Sequence, residues 1–274
     1  MKTLPIRKAG LRGLSQMICF SVVLALSGAV ASHAESKAAA PSSSKYVPEG
    51  YQLAFYDEFD GNALDTVKWQ FRTDKKMGSE QKESNVSVSD GKLILRLTHD
   101  PENNDPKRPY SGSGVISRAT FVYGYYEARF KIPKARGWHT SFWLQGYDQE
   151  GTGTSSAVQE IDICENDSLN PHTYSTNLHK WSPPKKTFGA VYPKEKLPDL
   201  SEDFHIWGCE FTPTAIHCYF DGKLVKTYDP APLGEPNQHN IWLTSICTLT
   251  PSKMKPEEHP ATAEFDYVRF YKKQ

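Results

Sequence analysis

Residues 123–132 alternate without interruption. Tyr125, Glu127, Arg129 and Lys131 fall on one parity, and Tyr126, Ala128, Phe130 and Ile132 on the other. An extended chain points successive side chains to opposite faces, so this is the pattern of a strand with one buried face. Residues 91–97, 216–220, 223–228, 241–247 and 263–271 are predicted as further strands. Turn pairs punctuate them at Asp60-Gly61, Asp90-Gly91 and Asp221-Gly222. The only helical expectation is a short one near residues 198–203. Many short strands with such spacing imply an all-β sandwich or jelly roll of one domain, without internal repeats. Two packed sheets would bury a core of adequate size.

The first residues have the build of an export signal. Lys2, Arg7, Lys8 and Arg12 precede an apolar run from Met17 to Leu26, and Ser32-His33-Ala34 is a small-residue cleavage site. Residues 1–34 are therefore expected to be a signal peptide, 35–47 a flexible leader and 48–274 the functional domain. The apolar run is short for a membrane anchor, so a secreted or periplasmic protein without a membrane segment is expected. Net charge is zero, with 32 Lys+Arg against 32 Asp+Glu. That balance disfavours a nucleic-acid partner and suits a neutral polymer.

Loss of the signal would remove Cys19 and leave Cys164, Cys209, Cys218 and Cys247. A symmetric turn at residues 212–215 would set Cys209 opposite Cys218, either bridged or as neighbours. Cys164 and Cys247 read as small buried hydrophobes. No zinc-ligand spacing occurs.

The chemistry is concentrated in Gln159-Glu160-Ile161-Asp162-Ile163-Cys164-Glu165-Asn166. Glu160 and Asp162 share one strand face, with Ile161 and Ile163 on the other. Strict alternation would bury Glu165; a one-residue bulge near Ile163 and Cys164 returns it to the carboxylate face. Glu160 and Glu165 then lie four strand steps apart, about 13 Å at roughly 3.3 Å per residue. Inward-leaning side chains bring their carboxyl groups near the roughly 5–5.5 Å of a retaining glycosidase. Asp162, between them, can orient one glutamate and help keep a proton on the other. A polar edge strand or a calcium site would fit this run as well. The flanks favour the catalytic alternative. His139, Ser141, Trp143 and Gln145 share a parity upstream, as do Asn177, His179 and Trp181 downstream. Such faces suit stacking on sugar rings and bonding hydroxyls. Any single Trp among them could instead belong to the core.

The run Glu-Ile-Asp-Ile-Cys-Glu resembles the Glu-x-Asp-x-x-Glu motif of glycoside hydrolase family 16. Tyr123-Gly124-Tyr125-Tyr126-Glu127-Ala128-Arg129 resembles another family segment. So do Phe55 to Gly61, Asn85 to Leu95, Glu210 to Gly222 and Phe265 to Arg269. The resemblance implies a jelly-roll β-sandwich of two curved antiparallel sheets with a concave substrate cleft. It implies a monomeric, retaining endo-β-glycanase that needs no cofactor for catalysis. By position, Glu160 would be the nucleophile, Asp162 its helper and Glu165 the acid/base. His139, Trp143, Asn177, His179, Trp181, Arg118 and Trp138 are expected to meet the polysaccharide, with Arg72, Arg118 and Lys180 available to sulfate groups. A structural calcium ion would use the Asp266 side chain and the carbonyls of Glu58 and Gly91.

The two-residue gap before Glu165 resembles the laminarinase, agarase, porphyranase and carrageenase branch. Laminarinases usually read Gly-x-Trp-Pro-Ala-Phe-Trp where this chain has Gly137-Trp138-His139-Thr140-Ser141-Phe142-Trp143. His139 thus replaces a cleft Trp, which points to a galactan or another β-1,3-type glycan. The alternatives are a laminarinase, a transglycosylase using the same acids, and a non-catalytic sugar-binding module.

Overall fold

The computed structural model describes residues 40–102, 105–147, 157–249 and 251–274. The expected signal peptide, with Cys19, and the first part of the leader lie outside the described residues. Pro41–Gln274 form one compact unit. Its strands are β1 (Tyr51–Asp57), β2 (Trp69–Phe71), β3 (Lys75–Lys76), β4 (Ser79–Gln81), β5 (Val86–Ser89), β6 (Lys92–His99), β7 (Tyr110–Phe121), β8 (Gly124–Lys131) and β9 (Trp138–Tyr147). They continue as β10 (Ala157–Asp167), β11 (Ser175–Lys180), β12 (Lys186–Thr187), β13 (His205–Phe211), β14 (Ile216–Phe220), β15 (Lys223–Tyr228), β16 (His239–Cys247) and β17 (Ala261–Lys273).

Two layers result, as the alternation requires. The cleft sheet runs β2–β7–β16–β9–β10–β11–β12. In the back sheet β17 lies beside β8, followed by β13, β14 and β15. The other edge of β17 carries β6 along its first half and β1 along its second, and β5 pairs with β6. The short parallel pairing of β4 with β7 and the end of β6 join the layers at one end. Asp90 and Gly91 have φ of 51° and 67°, and Asp221 and Gly222 have 46° and 79°. Two consecutive left-handed residues match the twist of tight hairpins, so these pairs close β5–β6 and β14–β15.

The inward faces meet in one core. Leu93, Leu95, Phe130, Trp207 and Val268 of the back sheet pack with Val115, Phe142, Leu144, Ile161, Ile163, Leu178 and Leu243 of the cleft sheet. Phe130 stacks between Trp207 and Phe265, with ring centroids 3.9 and 4.6 Å away. A smaller cluster at one end holds Leu97, Tyr110, Ala135, Trp138, Cys247 and Met254.

The structure bears on four of the expectations. Residues 198–203 form turns rather than a helix; Asp199 instead accepts bonds from the Ser201 backbone N–H and hydroxyl, the local competition that disfavours helix. Cys209 does face Cys218 in register, but both are free thiols, as are Cys164 and Cys247, and all four are buried. The end of the leader is docked rather than loose. Ser44 Oγ donates to Glu127 at 2.9 Å, and Arg269 reaches the Ser42 carbonyl at 3.3 Å. The expected calcium residues, finally, are engaged by cations of the protein itself. Asp266 pairs with Arg129 at 2.6 Å, and the Glu58 carboxylate takes both arms of Arg269 at 2.7 and 2.8 Å. Arg129 thus already places a positive charge beside Asp266, the one side-chain ligand expected for calcium.

Candidate active site

The acidic strand is β10, held between β9 and β11. Asp162 pairs with Trp143 and Cys164 with Phe142, so the register slips by one residue at Ile163. The same slip appears on the other side, between Asp162 opposite Asn177 and Glu165 opposite Ser175. The bulge buries Ile163 and Cys164 together in the core and leaves Glu165 half-buried facing the cleft. Glu160 and Glu165 pair with Gln145 and Ser141 of β9. Those partners are four residues apart on an unbulged strand, the spacing expected from the sequence.

A ring nitrogen stands against each of the two glutamates. The Trp181 indole donates to Glu160 Oε2 at 3.1 Å. His139 Nε2 lies 3.0 Å from Glu165 Oε1. Trp181 stacks nearly parallel on His179, with centroids 4.9 Å apart and planes 3° apart. His179 Nε2 is 3.2 Å from Asp162 Oδ2 and 3.7 Å from Glu160 Oε1. Its tautomer follows from its neighbours. The Leu178 backbone N–H donates to Asn177 Oδ1 at 2.9 Å, which fixes the amide, and Asn177 Nδ2 then donates to His179 Nε2 at 2.9 Å. The proton of His179 is therefore on Nδ1, donating to Thr187 Oγ1 at 2.9 Å.

This arrangement leaves Asp162 without a donor. Its Oδ2 is buried and makes no hydrogen bond among the described residues. Burial, with the charges of Glu165 and Glu160, pushes the Asp162 carboxyl well above the usual carboxylate range. Burial pushes Glu160 up to about 7; Glu165 adds to the rise, while the Trp181 N–H, Lys76 and Arg72 oppose it. Burial also lowers His179, in keeping with the neutral ring. A carboxyl cluster this close does not ionise all at once, so the site keeps protons in the neutral range. One atom each of Glu160, Asp162 and His179 lie within 4.8 Å of one another. The lone pair of His179 that a metal would need is committed to Asn177, so the trio does not fit an ion as arranged.

Cavities flank the acids on both sides. One of about 470 Å³ adjoins Glu160 and is lined by Arg72, Lys76, Trp143, Trp181 and Trp242, among others. Trp143 stacks on Trp242 at 4.5 Å and donates to Thr244 Oγ1 at 3.1 Å. The Arg72 guanidinium lies 5.5 Å from the Trp242 ring and is bonded to Asp74. The other cavity, about 760 Å³, adjoins Glu165 and is lined by His139, Asp167, Asn170, Tyr174 and Tyr192, among others.

Of the residues predicted to meet a ligand, His139, Trp143, Asn177, His179 and Trp181 gather around the three acids. Trp138 does not. It has the opposite parity to His139, is wholly buried in the end cluster and donates to His259 Nε2 at 3.0 Å. Arg118 is exposed, and its Nε donates to the carbonyls of Thr66 and Trp69 at 2.8 and 3.2 Å, outside both cavities. Lys180 Nζ points toward Gly234, and only Arg72 of the three proposed sulfate contacts lines a cavity beside the acids. Trp242, Thr244 and Lys76 were missed. Trp242 and Thr244 share a parity on β16 that was available to reading; Lys76 sits in a segment with no periodic signal.

Comparison with known proteins gives a consistent result. The family model described as the GH16 domain of β-porphyranases A–D matches residues 52–273. Glucan endo-1,3-beta-glucosidase A1 of Niallia circulans is 28% identical over 82% of this chain, which spans 38% of that protein's length. Beta-porphyranase E of Zobellia galactanivorans is 28% identical over 82% of this chain and 89% of its own length. The laminarinase catalytic domain of Thermotoga maritima superposes with a TM-score of 0.71 at 23% identity, covering 82% of this chain and all of that one. This last likeness concerns the fold.

Proposed function

On the premise that this chain belongs to glycoside hydrolase family 16, we propose that it is a secreted, retaining endo-β-glycanase acting on a β-linked polysaccharide. The observation that carries the proposal is the bulge at Ile163-Cys164, which sets Glu160 and Glu165 on one cleft face four strand steps apart. Glu160 is the nucleophile. It attacks the anomeric carbon as Glu165 gives its proton to the leaving oxygen, and a glycosyl ester forms on Glu160. Glu165, now a carboxylate, takes a proton from water as that water displaces Glu160. Asp162 acts by proximity. Kept protonated by its buried, donor-poor position, it can donate a hydrogen bond to Glu160 while that group ionises. The two glutamates thus divide their roles.

A galactan or another β-1,3-type glycan is the proposed substrate class. The porphyranase-type domain model supports the galactan side of that choice, as does His139 in place of a Trp. A laminarinase-type activity is the second reading, favoured by the similarity to the Niallia circulans enzyme. Stacked Trp143 and Trp242 and the parallel His179–Trp181 pair offer flat faces for sugar rings next to Glu160. Product sizes from porphyran, agarose, carrageenan, laminarin and mixed-linkage glucan test this. Internal cleavage of one class is expected, with the anomeric configuration retained and no loss on chelation. Inversion, or a Glu160→Ser variant with full activity, would overturn the mechanism.

A further inference from the structure

The two glutamates are held by ring nitrogens of different kinds. Glu160 receives the N–H of Trp181, an indole that does not titrate in the working range of an enzyme. Glu165 has His139 Nε2 at 3.0 Å from its Oε1. Among the described residues this is the one hydrogen bond to the Glu165 carboxyl. It engages Oε1, and both residues line the same cavity. Backbone register fixes the pair independently of the side chains. His139 lies opposite Asp167 on β10, and Glu165 lies opposite Ser141, two residues along β9 on the same parity as His139. Both side chains therefore rise from the same face of adjacent strands, and their polar tips meet over the edge of the cleft. Each is only partly exposed, His139 at 26% and Glu165 at 23% of its side chain, so the contact is shielded without being sealed.

We propose that His139 is the positioning residue of the acid/base. It rests on the reading of Glu165 as that acid/base. Neutral His139 donates Nε2–H to Oε1, so the transferable proton sits on Oε2, facing the leaving oxygen. In the first step that proton goes to the glycosidic oxygen, the C–O bond breaks and the Glu160–carbon bond forms. In the second step Oε2 takes a proton from the attacking water and the Glu160 ester bond breaks. The Nε2 proton stays on His139 throughout. The other titratable groups facing His139 are Asp167 across the strand pair and Tyr174 and Tyr192 around the cavity. Glu160, Asp162 and His179 lie further along the acidic strand and its neighbour. On the other side β16 presents Ile246, which is apolar.

The test uses the full chain with porphyran and laminarin as substrates, comparing wild type, His139→Phe and His139→Gln. Phe fills the space without a donor, and Gln keeps an N–H that does not titrate. His139→Phe is expected to lower kcat on the order of a hundredfold, the lower range for acid–base assistance, with KM little changed. His139→Gln should recover most of that loss. A raised KM with kcat unchanged in both variants would make His139 a wall of the sugar site and overturn the inference. The nitrogen chemical shifts of the His139 ring, read by NMR in the full chain, separate this from failure of the functional reading. Replacing Glu165 with Ala should move the Nε2 resonance, because its contact at 3.0 Å is lost. An unmoved resonance would overturn the inference even if neither polysaccharide were cleaved. A Glu165→Gln variant that still cleaves at full rate would instead overturn the acid/base reading.

Discussion

The sandwich buries carboxylates on both of its sheets and treats them in opposite ways. On the back sheet Glu127 is fully buried, yet it accepts hydroxyl bonds from Tyr267 and Ser44 at 2.9 Å and from Tyr125 at 3.3 Å. On the cleft sheet Asp162 is nearly as buried, and one of its oxygens has no donor. Burial raises both carboxyls, but around Glu127 three hydroxyls and the charge of Arg269 oppose the rise, whereas Glu160 and Glu165 add to that of Asp162. A carboxylate ringed by donors contributes to the fold. A group of acids crowded together and short of donors costs stability and is held in place by the surrounding strands, which is the signature of a site that uses its protons.

Substitutions on the two sheets should therefore separate stability from activity. The largest effect is expected from Glu160→Ser, which should reduce polysaccharide cleavage at least about a thousandfold, since it removes the nucleophile. Its melting temperature should match or exceed that of wild type, because a desolvated acid is lost; a fall in both quantities would erase the contrast. Glu127→Leu should do the reverse. It strands the hydroxyls of Ser44, Tyr125 and Tyr267 and should cost about 3 kcal/mol in denaturant unfolding, with kcat unchanged in the folded fraction.

A smaller effect lies in the pH dependence of stability. Glu160 goes from a usual value of 4.5 to about 7 on folding, so between those values the folded state holds a proton that the unfolded state has released. The Glu160 contribution to stability is thus complete below about pH 4.5 and is lost as pH rises through about 7. Thermal melts across that window should show a shallower decline for Glu160→Gln than for wild type. An equal slope would place the proton elsewhere in the cluster. The smallest effect is expected from Ser44→Ala, about 1 kcal/mol for one hydrogen bond. It should also loosen residues 41–47, seen as faster amide exchange there and no change in cleavage.

Much of this was legible in the chain because strands write their faces into sequence. The alternation of residues 123–132 predicts β8, Asp-Gly pairs predict two hairpin turns, and the odd spacing of Glu165 predicts the bulge. The failures share a cause. Trp138 and Arg118 looked like ligand contacts by residue type. What each side chain touches depends on strands far away in sequence: His259 for Trp138 and the Thr66–Trp69 turn for Arg118. The docking of Ser44 on Glu127 and the stacking of Trp242 on Trp143 are of the same kind.

The sequence by itself thus determined the β architecture, the acidic face and the bulge, since these follow from two-residue periodicity within single segments. Only the tertiary structure decided which partner each acid receives. Trp181 for Glu160, His139 for Glu165 and none for one oxygen of Asp162 are outcomes of how β9, β10 and β11 align, and the division of protons among the three acids follows from that alignment.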